Sequence, residues 1–467
     1  MSAGGAPVGL FASALGGVEQ RGRCRVDPVD EGAAVRADGV GGPAVVEQPL
    51  QRLAVLEEGD AREAEGYSLQ NAAAAGAGAV VIYSDVPGEW GTKVDARTET
   101  AIPALTLSGE QGAKLAALAA QGNVKLQFQG KAMPAYSYEV MKTEQGISAD
   151  QQYRTDPSEL ATVNDRFYAS TPATEGGFAR VMRSDKQAFV YPTIVRTTMP
   201  RTLTEYVTAG VQTYELVAGA PLWQPGNGAV QTSAERLQAG QVYSMDWNKG
   251  VYRSAIVAGN AHGTRRLGEL GTVDIAPLLA EEPRQQSNFV SLLETKKLTV
   301  YRDGQLVGTA PSLSVDFPMV PEPATYTLVG EVVRDQPWWT TSTKVQSAWT
   351  FRSEHADNGA LGVMSIDYDL DLALDNSVRK GSTSTLGLGF RYPKGLAAPN
   401  LKDVKVSASY DDGATWTQAQ VRLTGDAGAT AVLLNPKTAG FVTLKVQATD
   451  VDGTAVEQTV TRAYQVR

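Results

Sequence analysis

The chain has 467 residues, 42% of them hydrophobic and 20% charged, and carries a formal net charge of −9. At roughly 150 residues per domain that is a multidomain length, and the composition is that of a globular protein with room for large cores. The acidic balance excludes the basic stripe of a nucleic-acid binder, and runs such as 77–83 fall far short of the ~20 apolar residues that cross a bilayer.

Residues 1–45 are rich in Gly, Ala and Val and show little periodicity. No Lys or Arg precedes Arg21, so the positively charged start of a secretory signal is missing. The stretch reads as a poorly organised lead-in, which a truncated gene product or a restarted reading frame would explain. The single cysteine, Cys24, forms no internal disulfide. Cores of this size are compatible with secretion without one.

Residues 46–133 alternate strand and helix patterns. Residues 53–56 read as a short buried strand, and 61–75 as an Ala-rich helix that Gly76 ends in a left-handed conformation. Residues 79–83 form a continuous apolar run, suited to a sheet covered on both faces. Ser108 with Gln111 is a capping-box pattern opening a second helix, which has Glu110 and Lys114 as an i,i+4 pair, Leu115 and Leu118 on one face and Gly122 at its end. Residues 124–128 alternate as a half-buried strand. The expectation is a small α/β domain.

From residue 134 the texture changes to short alternating strands, with a helical turn or two expected at 157–163. Asp303-Gly304, Asp412-Gly413 and Asp452-Gly453 supply the positive φ angles of tight hairpin turns. Residues 442–448 alternate as a strand with one wet face. The expected fold is mainly β: the small α/β domain, then two or three antiparallel β-sandwiches. Residues 134–355 make one large sandwich region or two small ones. A polar, Gly-terminated segment at 354–359 reads as a linker, and 356–467 is the size of one immunoglobulin-like sandwich.

Four places carry candidate chemistry. His262-Gly263-Thr264 looks like a stretch around a catalytic base, but no nucleophile or orienting-carboxylate motif accompanies it, and a base without partners performs no nucleophilic catalysis. The other histidine, His355, lies in the expected linker, and no zinc-ligand spacing is present. Asp367, Asp369 and Asp371 stand at i, i+2 and i+4. A hard cation such as calcium is one reading of that spacing, and a solvated strand face that resists edge pairing is the other. No other cofactor is suggested. Trp338 and Trp339, near Trp349 and Phe351, form the densest aromatic cluster. One of these two rings points outward if the chain is extended, as a platform for a sugar or peptide, whereas Trp349 and Phe351 share one strand face and suit a core.

The Ala-rich helix into Gly76, the strand at 79–85, Val86-Pro87-Gly88, Ile102-Pro103-Ala104-Leu105 and the helix opening at Ser108-Gly109-Glu110-Gln111-Gly112 resemble, in this order and spacing, the protease-associated (PA) domain. Residues 156–163 with Phe167-Tyr168, 201–207, Trp338-Trp339 ahead of 347–352, 406–416, 439–442 and 456–464 are similar to the region after the PA domain in large secreted bacterial subtilisin-like serine proteases (subtilases). The resemblance covers residues 50–467. It implies an extracellular accessory region whose catalytic domain lies upstream, and protein or peptide substrates as partners. The family is one of serine endopeptidases. The Asp, His and Ser motifs of its catalytic domain have no counterpart here, so the chain alone is not expected to cut. A free-standing extracellular protein- or glycan-binding protein is the alternative.

Overall fold

Strand pairing begins at Arg25 in a computed structural model that describes, up to Pro134, residues 25–28, 35–39, 42–46, 52–57, 79–83, 104–119, 121 and 128–131. Beyond Pro134 it describes 135–142 and 154–467, except 172–173, 184–194, 219–228, 233–234, 258–262, 281–284, 290–293 and 338. The helix expected at 61–75, His262 and Trp338 lie outside these residues. The chain divides into two units, Met1–Pro134 and Ala135–Arg467.

The first unit contains β1 (Arg25–Pro28), β2 (Val35–Gly39), β3 (Gly42–Val46), β4 (Arg52–Glu57), β5 (Ala79–Tyr83), β6 (Ala104–Leu107), α1 (Gly109–Ala119) and β7 (Phe128–Lys131). Strands β4, β5 and β6 are parallel, with β1 antiparallel at the β4 edge. The continuous apolar run of β5 is buried, as a parallel strand covered on both faces requires. Ser108 accepts a hydrogen bond from the Gln111 amide at 3.3 Å, which caps α1. Leu115 is buried, but Leu118, expected on the same face, is exposed. Gly112 lets α1 approach β5, because a Cβ there would lie 2.0 Å from the Tyr83 ring. Strands β3, β2 and β7 form a second small sheet.

The second unit opens with β8 (Tyr136–Glu139), β9 (Leu160–Phe167), β10 (Thr174–Arg183), β11 (Val195–Met199), β12 (Arg201–Thr208), β13 (Gln212–Ala218), β14 (Ala229–Thr232), β15 (Glu235–Arg236) and β16 (Val242–Trp247). Before β9 the chain makes one 3-10 turn, Pro157–Glu159, closed by a capping box from Asp156. The helical tendency seen in the sequence stops there, because Leu160, Ala161 and Val163 go into a sheet. The sheet β16-β9-β12-β8 faces the sheet containing β11-β10-β13-β14. Val163, Phe167, Phe178, Met199, Leu203, Val217 and Trp247 fill the space between them.

Next come β17 (Arg253–Ala255), β18 (Arg265–Gly268), β19 (Leu270–Asp274), β20 (Ala276–Leu279), β21 (Gln285–Phe289), β22 (Thr295–Arg302), β23 (Gln305–Ala310), β24 (Ser314–Pro318), β25 (Ala324–Val333), β26 (Lys344–Ser353) and β27 (Ala356–Ala360). Strand β21 returns to pair with β14 of the preceding sandwich. Strands β17 and β20 pair with each other, and the rest form the sheet β24-β19-β18-β27 and the run β23-β22-β25-β26. Asp303 and Gly304, with φ of 48° and 80°, close the two-residue hairpin from β22 to β23. The segment that reads as a linker in the sequence is β27, hydrogen-bonded to β18.

The last sandwich contains β28 (Ser365–Leu370), β29 (Ser377–Val378), β30 (Thr383–Arg391), β31 (Leu401–Ser409), β32 (Thr417–Gln418), β33 (Gln420–Leu423), β34 (Gly428–Leu434), β35 (Gly440–Asp450) and β36 (Ala455–Val466). One sheet runs β28-β30-β34-β33 and the other β29-β36-β35-β31-β32. This is the strand order of an immunoglobulin sandwich: the first, second, fifth and fourth main strands on one side, the third, sixth and seventh on the other.

Strand β36 does not end its sheet. It pairs antiparallel with β26 from Lys344↔Thr461 to Thr350↔Ala455, so sheets of two sandwiches become one of nine strands. Behind the seam, Gln458 donates to the Ser254 carbonyl and the Ser347 hydroxyl, both at 2.9 Å, and accepts from Tyr368 at 3.2 Å. Leucine at position 458 would leave those three groups buried without a partner. Gln458→Leu is expected to cost on the order of 3 kcal/mol, read as a lower urea midpoint with an unchanged m-value.

Candidate functional site

The aspartate trio sits where strand alternation places it. Ile366, Tyr368 and Leu370 of β28 are buried, while Asp367 is half-buried and Asp369 and Asp371 are exposed. Alternate residues along a strand lie about 7 Å apart, too far for three carboxylates to close on one ion. The Asp367 oxygens are also taken, by Arg253 at 2.5 Å and Arg391 at 2.8 Å. Arg253, itself buried, further donates to the carbonyls of Leu279 and Ala280. The calcium reading is therefore replaced by an ion-pair role for Asp367. The three side chains are not brought together as ligands.

Burial pushes the Asp367 carboxyl up, but Arg253 and Arg391 outweigh it and hold it below the usual carboxylate range. A carboxyl with a depressed folded-state pKa contributes stability above its unfolded value, near 4, and loses it as pH falls. Asp367→Asn is expected to cost about 1 kcal/mol at neutral pH, discounted for partial exposure, and to flatten the acid limb of stability against pH. Calcium or a chelator is expected to leave the urea midpoint of the wild-type chain unchanged.

Trp339 does not present an open ring. Its face lies under the Arg334 guanidinium at 4.0 Å, and it makes a T-shaped pair with Tyr252, ring centroids 5.8 Å apart. Arg334 also lies over the Tyr252 ring at 4.7 Å and 3.4 Å from Glu294. The chain's own cation thus fills the space a ligand would need. Trp349 and Phe351 are core residues, as their shared strand face indicates. Trp416, half-buried, has Lys445 over its ring at 4.4 Å. It lines a groove of about 440 Å³ on the wet face of the nine-stranded sheet. The polar groups there pair with one another: Lys344 with Glu331, Arg462 with Asp412, and Gln447 with Glu457.

His355 is exposed. Its Nδ1 lies 2.7 Å from Glu269 and its Nε2 3.5 Å from Asp357. The hydrogen bond to Glu269 pushes the imidazole pKa up. A triad base needs one nitrogen for a nucleophile's hydroxyl, and both nitrogens here face carboxylates.

Sequence reasoning missed the most unusual polar group in the second unit. Between the sheets of its first sandwich, Arg180 of β10 donates to Glu205 of β12, with Nε at 2.9 Å, and to Glu215 of β13 at 2.5 Å. Asp165 of β9 accepts from the Trp247 indole at 2.8 Å. Oxygens of Asp165, Glu205 and Glu215 lie within 4.8 Å of one another, and all three residues are at most 1% exposed. Glu139 of β8, half-buried, also feels Arg180 and Glu205. Burial first, then neighbouring carboxylates, push Asp165 and Glu215 well above the usual range, against the pull of Arg180. That spacing alone would admit a metal ion, but the cation among these oxygens is Arg180. The signal was present in the sequence: Asp165 stands in register with Ala161, Val163 and Phe167, and Glu205 between Leu203 and Val207, so each acid falls in the apolar phase of its strand.

No family model matches the chain, and no curated protein matches it. Among solved structures, it is similar to a chimeric titin Z1Z2 tandem, at 14% identity over 44% of this chain and 89% of that one, with a TM-score of 0.16. It is also similar to Salmonella alpha-2-macroglobulin reacted with methylamine, at 9% identity and a TM-score of 0.17. There it covers 67% of this chain but spans only a third, 33%, of the macroglobulin. The three N-terminal domains of the bacteriophage RB49 outer capsid protein Hoc match at 11% identity over 66% of this chain and 97% of theirs, with a TM-score of 0.15. Scores this low carry no argument about function. Among the described residues, no helix is long and apolar enough to cross a membrane.

Proposed function

We propose that the chain is the accessory, non-catalytic region of a secreted subtilisin-like serine protease, and that its catalytic domain is encoded upstream. The observation that carries this reading is where the subtilase-like segments fall. Residues 201–207 lie in β12, 347–352 in β26, 406–409 in β31 and 456–464 in β36. These are interior strands of the sandwiches, whose inward side chains, such as Leu203, Trp349, Val406 and Val460, build cores. The shared pattern is thus one of scaffold. The small α/β unit, with its parallel strands and capped helix, suits the PA-like role of governing access to the catalytic domain or binding protein. The sandwiches suit a buttress for that domain or a surface for extracellular substrate.

Two measurements test this. Sequence immediately upstream in the gene is expected to encode the Asp, His and Ser motifs, and unrelated, terminated sequence there would remove the reading. The purified chain is expected neither to hydrolyse casein nor to react with a fluorophosphonate serine probe. Specific labelling of one serine would assign it a nucleophile and overturn the non-catalytic assignment.

A further inference from the structure

The buried charges of the first sandwich are not evenly paired. Arg180 bonds Glu205 and Glu215, whereas Asp165 accepts from the neutral Trp247 indole, so an ionised Asp165 sets a second carboxylate beside Glu205 with no cation bonded to it. These side chains are sealed from water between two sheets. An uncompensated charge in such a place costs several kcal/mol, so a buried acid neutralises instead. A second observation concerns geometry. Oxygens of Asp165 and Glu205 lie within 4.8 Å of each other, and burial first, then the neighbouring Glu205, pushes the Asp165 carboxyl up. Yet Asp165 Oδ2 and Glu205 Oε1 have no donor as bare carboxylates. Two carboxylates cannot bond to each other, whereas a carboxyl and a carboxylate can.

We propose that this cluster carries at least one carboxylic acid proton at neutral pH, shared among acids on facing sheets, and that its loss in alkaline solution loosens the first sandwich. The groups facing it are Glu139 on β8, Asp165 on β9, Arg180 on β10, Glu205 on β12, Glu215 on β13 and the Trp247 indole N–H on β16. Among these described groups the cation is Arg180. The protons belong to the set and not to one residue. The folded chain holds a proton that the unfolded chain releases above the ordinary carboxyl range, near 4. The stabilisation is therefore complete below that range and is lost as pH rises, until the folded cluster itself ionises. This is the reverse of the Asp367 pair, which fails in acid. A metal ion is the competing way to neutralise these acids, but Arg180 already lies among the oxygens.

The test is infrared spectroscopy of the intact wild-type chain at neutral pH, with urea unfolding followed from about pH 5 to about pH 9, where the depressed carboxyls no longer titrate. A carbonyl band of neutral carboxylic acid is expected at pH 7, when exposed acids are ionised. The unfolding constant is expected to rise by up to about tenfold per pH unit for each proton held. In the double variant Asp165→Asn/Glu215→Gln, Glu205 pairs one to one with Arg180. The band is then lost, and the slope falls to what the groups common to both proteins, His355 and Glu139 among them, contribute. A wild-type chain without the band, or with the same slope as the double variant, overturns the proposal. So does a stoichiometric divalent ion whose removal by chelator lowers the wild-type midpoint. If the double variant does not fold, the wild-type band decides.

Discussion

The antiparallel pairing of β26 with β36 is the constraint on which the rest of the second unit depends. The last strand of an immunoglobulin sandwich is normally an edge, with a row of unpaired N–H and C=O groups open to any other strand. Here seven residues of β36 are in register with β26, and the edge disappears. The consequence reaches the interior. Val300, Tyr326 and Trp349 on one side and Tyr368, Val456 and Tyr464 on the other belong to one continuous core. Two sandwiches sharing both a sheet and a core do not hinge at the seam. The short segment between β27 and β28 therefore has no linker role, and β27 itself is tied down on β18.

A seam of this kind buries backbone and side-chain polar groups that must be satisfied in place. Gln458 meets three of them at once, which an apolar residue of its size cannot do. Arg266 solves a similar problem in the neighbouring sheet. It is almost fully buried and donates to the carbonyls of Gly268 and Val320, the Ser353 hydroxyl and Glu269. It thereby pins a turn and two strand ends with one rigid fork. These residues specify which strands meet. The net contribution of Arg266 to stability is modest, since a buried ionic group gives back most of its attraction as desolvation.

The sequence was legible where local chemistry decides the outcome. The β5 run, the Ser108 cap, the Asp303-Gly304 hairpin and the alternation of β35 all depend on neighbours within a few positions. It was illegible where partners are distant. Arg253 reaches Asp367 across 114 positions, so three aspartates at alternating spacing looked like ligands for an ion that guanidiniums replace. Trp339 looked like a platform although its partner Arg334 is only five positions away, because no regular period carries a side chain back across an irregular segment. The 354–359 segment looked like a linker because its polarity fits an exposed edge strand equally well. The acids of the first sandwich were visible as a break in apolar phase, but only the facing sheet reveals that they converge.

That convergence bears on how the unit holds together. The first sandwich has its own core, separate from the continuous core of the other two. Among the described residues it meets them through β21, through Tyr168, which is buried in the continuous core, and through a polar contact around Asn376. There Asn376 accepts from the Gly250 amide at 2.8 Å and donates to the Asn248 carbonyl at 3.1 Å, while Gln465 donates to the Ser170 carbonyl at 3.1 Å. Hydrogen bonds of this kind transmit position but add little cohesion, whereas a fused sheet adds both. The first sandwich has a buried acid cluster at its centre, so it is the part whose packing answers to the pH outside the protein.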